Sequence, residues 1–368
     1  MKFITRLSVT FIGCLCLLAT TANAYQFEKS INICFDPTPA QELTLKHMMA
    51  SQNIKFRKAK CDEYYQKLKN IKKIVFSNVP YEEFDLSPLA ELTQLETIVI
   101  LGAKSFSLKP IENITNLTDL ALSANSITDL RTISRFKNLN DLLIRNSNIA
   151  NLDFLSQLNE LKRLIITDNK INDLTPLSNK TSLEHLAISV NPLSNIDALN
   201  TLTNLKTLYI NYTDIKDITS ISGATNLEEL YIDYNNISDI SPLSHLTYLK
   251  KLDMNNNHIK SLEPLRNLKY LYYLKFSNNH VEDISPLSDL PQLGYVAFAN
   301  NKVRYLSPLL VNEGLYNVTA FGNPMVDCED DVVKLARHAI QCKNGWIKPM
   351  KLQPVDATPV SRSSGKLD

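Results

Sequence analysis

Leucine and isoleucine return along this chain at fixed intervals. Leu227, Leu230, Ile232, Ile237, Ile240, Leu243 and Leu246 share a template with Asn235, and Leu249 begins the template again. Copies start at Leu95, Leu117, Leu139, Leu161, Leu183, Leu205, Leu227, Leu249, Leu271 and Leu293, so a 22-residue frame runs ten times through residues 95–314 without an insertion or deletion. A truncated copy follows at Leu315. Leu230 and Ile232, two residues apart, share one side of a strand, and their neighbours share the other. The segments at 239–243 and 283–287 both read Asp-Ile-Ser-Pro-Leu. Proline fixes φ and lacks an N–H, which predicts a short helical turn there rather than a second strand.

Asn235 closes its strand, with equivalents at Asn125, Asn169, Asn191, Asn257, Asn279, Asn301 and Asn323. A side-chain amide carries donors and an acceptor, so a stacked row of them can satisfy backbone groups where successive coils turn. Ser147 and Thr213 stand in that row, and their shorter side chains predict looser turns. A 20–29-residue period of the form L-x-x-L-x-L-x-x-N-x-L is the leucine-rich-repeat signature. The fold class expected is therefore an α/β solenoid: a curved horseshoe with short parallel strands on its concave face, a helical N-terminal cap and a cysteine-bracketed C-terminal cap.

Residues 71–325 carry the repeats, and the flanks read differently. A basic start at Lys2 and Arg6, an apolar run over 7–19 and Ala22-Asn23-Ala24 predict a signal peptide over 1–24, cleaved after Ala24. The rival reading makes Cys14 the acylated residue of a lipoprotein. Residues 25–70 are expected to form the N-terminal cap, extended to Phe35, then helical from Pro39 through Met49 and from Asp62 to Leu68. At the far end, residues 326–345 are expected to cap the core, with helical apolar spacing over 329–340. The proline-bearing tail, 346–368, is expected to be disordered.

Removing Lys2 and Arg6 turns 39 basic against 38 acidic residues into 37 against 38. That balance gives no basic field for nucleic acid or an anionic membrane. Four cysteines remain after the signal peptide, and two local disulfides, Cys34–Cys61 and Cys328–Cys342, are the economical choice among three connectivities. No motif for a nucleophile, phosphate loop or metal site is present, so neither an enzyme nor a bound metal or cofactor is expected. His258 and His280 share a template position, and a solvated turn accounts for them better than a metal pair.

In such a solenoid the residues flanking the two core positions of each strand form the recognition surface. They include Val75, Val99, Leu101, Leu143 and Ile165 early in the chain, then Tyr209, Tyr212, Tyr231, Tyr234, Tyr273 and Tyr295, with Glu229, Asp233, Lys251, Asp253 and Lys275 among them. Tyrosine brings large contact area, little rotamer entropy and a polar tip to an interface. It also fits a pleated sheet without any ligand.

The 22-residue copies, Asp-Ile-Ser-Pro-Leu at 239–243 and 283–287, and Leu-Thr-Asn-Leu at 202–205, resemble the internalin family of bacterial leucine-rich-repeat proteins. That resemblance implies a secreted or surface protein binding a host or extracellular protein through concave-face Tyr209, Tyr231, Tyr234, Tyr273 and Tyr295, and contributing to adhesion, invasion or virulence; a monomer is expected. A periplasmic factor that binds or inhibits a partner from the same cell is the alternative. Neither the family's wall-anchoring motif nor its immunoglobulin-like domain is evident after the repeats.

Overall fold

A computed structural model describes residues 33–34, 36–76, 79, 82–326 and the backbone of 339–341. The signal peptide, the Cys328–Cys342 pairing and the tail lie outside the described residues. Contacts divide the chain into two compact units, residues 1–172 and 173–368.

The first unit opens with helix α1 (Pro39–Ala50), where Thr38 and Gln41 form a reciprocal capping box and Pro39 occupies the first turn. Helix α2 (Cys61–Leu68) follows. Leu45, Met48, Met49, Tyr65 and Leu68 are buried, and the Tyr65 hydroxyl donates to the Pro88 carbonyl at 2.8 Å. Cys34 is bonded to Cys61. Ile33 and Cys34 are helical rather than extended, in keeping with an anchor that holds Cys34 against the start of α2.

Strands β1 (Lys73–Phe76), β2 (Thr97–Ser107), β3 (Asp119–Thr128), β4 (Asp141–Arg145) and β5 (Arg163–Ile165) pair in parallel, each with its neighbour in sequence. β2 and β3 span 11 and 10 residues, longer than a uniform template of short strands predicts. Gly102, at φ 93°, and a register shift between Leu101 and Ala103 let the pairing turn the corner and continue to Ser107. Ala103 occupies the frame position that holds asparagine elsewhere, so the turn there has no side-chain amide to close it.

The second unit holds β6 (His185–Ala187), β7 (Thr207–Tyr209), β8 (Glu229–Tyr231), β9 (Lys251–Asp253), β10 (Tyr273–Lys275), β11 (Tyr295–Ala297), β12 (Asn317–Thr319) and β13 (Ala339–Gln341), again parallel and in sequence order. The strand at Ala339–Gln341 replaces the end of the helix expected over 329–340. The free edge of β12 offers unpaired N–H and carbonyl groups that a further strand satisfies. Between strands the chain returns through 3₁₀ turns such as Ser241–His245 and Ser285–Asp289. Asp239 Oδ1 accepts the Ser241 N–H, and Asp283 Oδ1 the Ser285 N–H, both at 2.8 Å, which starts each turn as a local cap.

The core is one layer of aliphatic side chains inside each coil: Leu227, Leu230, Ile232, Ile237, Leu243 and Leu246 are fully buried, and their counterparts in neighbouring copies match them. The asparagine row does what its chemistry permits. Asn257 Nδ2 donates to Ile232 O at 2.9 Å and Met254 O at 3.2 Å, while its Oδ1 accepts Ile237 N–H at 3.0 Å. The turns at Ser147 and Thr213 are not loose. Both residues are buried, and the Thr213 hydroxyl reaches Ile210 O at 3.1 Å and Asn235 Oδ1 at 2.9 Å. The neighbouring asparagine supplies what the shorter side chain lacks.

From Asn146 onward, the residue before each ladder position is left-handed. Asn146, Asp168, Val190, Tyr212, Tyr234, Asn256, Asn278 and Asn300 have φ between 47° and 58°, and Gly322 has 74°. Asparagine, aspartate and glycine accept that conformation readily, whereas Val190, Tyr212 and Tyr234 do not.

Candidate functional site

The second unit gathers the tyrosines and charges on the exposed face of its strands. Register puts Thr207, Glu229, Lys251, Tyr273 and Tyr295 in one row and Tyr209, Tyr231, Asp253, Lys275 and Ala297 in the next. A parallel ladder brings like template positions together at about 4.8 Å, so tyrosines one copy apart become stacked pairs. Tyr209 and Tyr231 lie with ring centroids 4.3 Å apart, and Tyr273 and Tyr295 lie 4.6 Å apart. Charges pair by the same rule: Lys251 Nζ is 2.8 Å from Glu229 Oε1, and Lys275 Nζ is 3.4 Å from Asp253 Oδ2 and 5.1 Å from the centre of the Tyr273 ring. The Tyr231 hydroxyl donates to Glu229 Oε2 at 3.1 Å, and burial together with the Glu229 charge pushes its pKa above the usual tyrosine range.

Tyr212 and Tyr234 take a different place from the one expected. They stand in the left-handed turn after β7 and β8, not beside the core positions of those strands, about half exposed and stacked at 4.2 Å. With Asn211, Asp233, Asn255, Asn256, Lys275, Ser277, Asn278 and Ala297 they line an open depression of about 430 Å³.

Beneath it runs a second polar ladder that the periodicity did not reveal. Ser189 Oγ accepts the Asn211 N–H at 3.0 Å, Asn211 Oδ1 the Asp233 N–H at 2.8 Å, and Asp233 Oδ1 the Asn255 N–H at 2.9 Å. Asn255 Oδ1 then accepts from Ser277 N at 2.7 Å, and Ser277 Oγ from Ala299 N at 3.0 Å. Asn255 Nδ2 also donates to Asp253 Oδ1. Asp253, 7% exposed, lies below the surface beside Asp233. Burial, and then the neighbouring Asp253 carboxylate, push the Asp233 pKa up to about 8.

More tyrosine is exposed than the strand-face positions supplied. Tyr248 and Tyr270 share the last frame position and stack at 6.3 Å, and Tyr272 and Tyr316 share the second position. The Tyr316 ring covers Gly294, where a Cβ would meet Cε1 at 2.7 Å. The signal was their repetition in frame at positions that enter the strand rather than flank its core.

In the first unit Val75, Val99, Ala121, Leu143 and Ile165 follow one another in register as a half-buried aliphatic row, with Leu101 exposed beside it. Elsewhere the His258 and His280 rings stack at 5.8 Å. Among the described residues no group of three or more His, Cys, Asp or Glu side chains is placed to hold a metal, and no helix is long and apolar enough to cross a membrane.

The family described as leucine-rich repeats (2 copies) matches residues 181–223 and 225–267. No curated protein sequence matches the chain. Among solved structures, an internalin, inlF, from Listeria monocytogenes superposes with a TM-score of 0.75 at 26% identity, over 85% of this chain and 92% of that one. Internalin C2 from the same organism is 38% identical, over 51% of this chain and 84% of that one, with a TM-score of 0.50. The chain is an internalin-like leucine-rich-repeat protein. A plant peptide hormone receptor, RGFR1, in complex with RGF2, shares the fold at 17% identity and a TM-score of 0.55, over 70% of this chain and 48% of that one. The internalin-like chain therefore has the leucine-rich-repeat solenoid fold, with open parallel sheets and short 3₁₀ returns in both units.

Proposed function

We propose that this protein is a secreted recognition module that binds another extracellular protein, a host protein by the internalin likeness, through the exposed strand face of residues 205–297, and that it makes no covalent change in its partner. The observation that carries this reading is the patch itself. Two stacked tyrosine pairs and two lysine–carboxylate pairs lie on adjacent strands, fixed in register by the ladder beneath them. Rigid aromatic side chains of this kind give an interface area without much ordering cost. The solved plant receptor of the same fold, in complex with RGF2, supports protein or peptide ligands as the class. Adhesion, invasion or virulence would be the consequence of such binding if the partner is a host surface protein.

The test is direct capture. The purified protein is presented to a panel of host surface proteins and to envelope proteins of the producing cell, beside a Tyr209→Ala/Tyr231→Ala variant, and each candidate is confirmed with the purified partner. A host protein held by the wild type and released by the variant is the expected result. An envelope protein held in the same way would move the reading to a partner from the same cell, and equal binding by both proteins would remove the strand face as the binding surface.

A further inference from the structure

Each carboxylate of the strand-face rows just described is matched by a lysine one strand further on, Glu229 by Lys251 and Asp253 by Lys275. Asp233 differs. Among the described residues no lysine, arginine or histidine forms an ion pair with it, and Lys275, the cation that lines the same depression, is already engaged by Asp253 and the Tyr273 ring. Two carboxylates, Asp233 and Asp253, thus face one ammonium. Asp233 lines a hollow of about 430 Å³, within the size range of ligand pockets. One wall is the stacked pair Tyr212 and Tyr234, whose rings offer a cation an aromatic surface beside the carboxylate.

We infer that the depression at Asp233 receives a lysine or arginine side chain of the bound protein. The inference rests on the protein-binding reading and names the chemistry of one contact within it. An incoming guanidinium or ammonium would restore the one-to-one matching seen in the neighbouring pairs, with Asp233 as its acceptor and Tyr212 and Tyr234 packed along its alkyl stem. An acidic side chain is disfavoured, because it would meet the Asp233 carboxyl while Lys275, the lysine among the described lining residues, is occupied by Asp253.

Proton linkage gives the contact a signature. With its pKa up to about 8, Asp233 holds a proton at neutral pH, and an entering cation must displace it. The charged and titratable groups that face it are Asp253 on β9, Lys275 on β10, and Tyr212 and Tyr234 at the rim. Burial pushes the Lys275 pKa down, but hydrogen bonding to Tyr273 and the charges of Asp253 and the neighbouring tyrosines together turn the net shift upward, and Tyr212 is shifted upward by burial and by Tyr234. Both shifts carry these groups away from neutral pH. Affinity for a basic side chain therefore rises by about tenfold between pH 7 and pH 9 as Asp233 ionises.

The test uses three capped peptides, acetyl-Gly-Arg-Gly amide, acetyl-Gly-Lys-Gly amide and the norleucine analogue, titrated into the protein while backbone amide resonances are followed by NMR. The basic peptides should shift the resonances of Asp233, Tyr234 and Asn255, the norleucine peptide should not, and affinity should climb with pH. Asp233→Asn should weaken the basic peptides by about tenfold or more, the size of a charge-assisted hydrogen bond, and abolish the pH dependence. Asparagine is a safe replacement, because Asn211 and Asn255 already serve the same ladder in the adjacent copies. Equal binding of the norleucine peptide, or undiminished binding by Asp233→Asn, would overturn the inference. Should the basic peptides fail while Tyr209→Ala/Tyr231→Ala still releases a protein partner, this contact is wrong and the strand-face reading stands. Should they bind while that double variant keeps every partner, the contact stands and the wider face is wrong.

Discussion

The rings of Tyr209 and Tyr231 lie one repeat apart with planes 2° from parallel. Neither can turn without disturbing the other, so the pair presents its outer edge as one rigid object. Replacing Tyr231 by alanine is expected to weaken partner binding by about 2 kcal/mol or more, the usual cost at an aromatic anchor, with thermal stability little changed. Titration calorimetry beside a melting curve separates the two effects.

Asp233 makes stability depend on pH in an unusual direction. Its pKa is near 3.8 in an unfolded chain and about 8 in the folded protein, so between those values the folded state holds a proton that the unfolded state has lost. Stability from this group is therefore greatest below pH 4 and declines as pH rises toward 8. Asp233→Asn should flatten that decline and stabilise the protein at pH 9 by about 1–3 kcal/mol, as expected when a half-buried uncompensated charge is removed. Urea titrations of both proteins at pH 5 and pH 9 check the sign.

Asn257→Ala leaves the Ile237 N–H without its side-chain acceptor, while Ile232 O keeps Asn235 Nδ2 and Met254 O keeps Asn279 Nδ2, both at 3.0 Å. One buried N–H left unsatisfied costs about 1–3 kcal/mol, so the expected loss is about 2 kcal/mol. Thr213→Ala removes one hydroxyl and should cost about 1 kcal/mol. Denaturant midpoints for the two variants should rank in that order.

Leu230 is wholly buried between the Leu208 and Leu252 strand positions. Leu230→Ala opens a cavity and should cost about 2–5 kcal/mol, measured by the same titration, while the strand-face side chains stay in place.

The Cys34–Cys61 bond closes a loop with a sequence separation of 27. Replacing both cysteines by alanine should lower the stability of the first unit by about 3 kcal/mol on a chain-entropy estimate. Amide exchange in α1, faster in the variant, reports the loss locally.

Much of the fold was legible because one residue type at one spacing has one job. Leu230 and Ile232 had to point inward, and Asn235 and its equivalents had to close the turn, since no other side chain pairs both backbone groups there. The long β2 and β3 were not legible, because they follow from Gly102 and from an alanine at the asparagine position, departures that a template reads as noise. The second ladder was hidden for a related reason. Ser189, Asn211, Asp233, Asn255 and Ser277 differ in type and share only an acceptor oxygen at one position, which residue names do not display. Tyr212 and Tyr234 were legible as exposed aromatics, but their backbone conformation, and so the hollow they border, needed coordinates. Tyr248, Tyr270, Tyr272 and Tyr316 lay outside the alternation that defines a strand face.

The left-handed column carries a consequence for engineering. Six of its nine members are asparagine, aspartate or glycine, the residues that bear such a backbone with least strain. Val190→Asn should accordingly add stability, by about 1 kcal/mol, and so should asparagine at 212 and 234. A chain idealised in this way would be the sturdier repeat and the blinder one, having exchanged the aromatic wall above Asp233 for a more comfortable turn. Consensus design applied to this protein would erase the proposed recognition surface first at the places where it improved the backbone most.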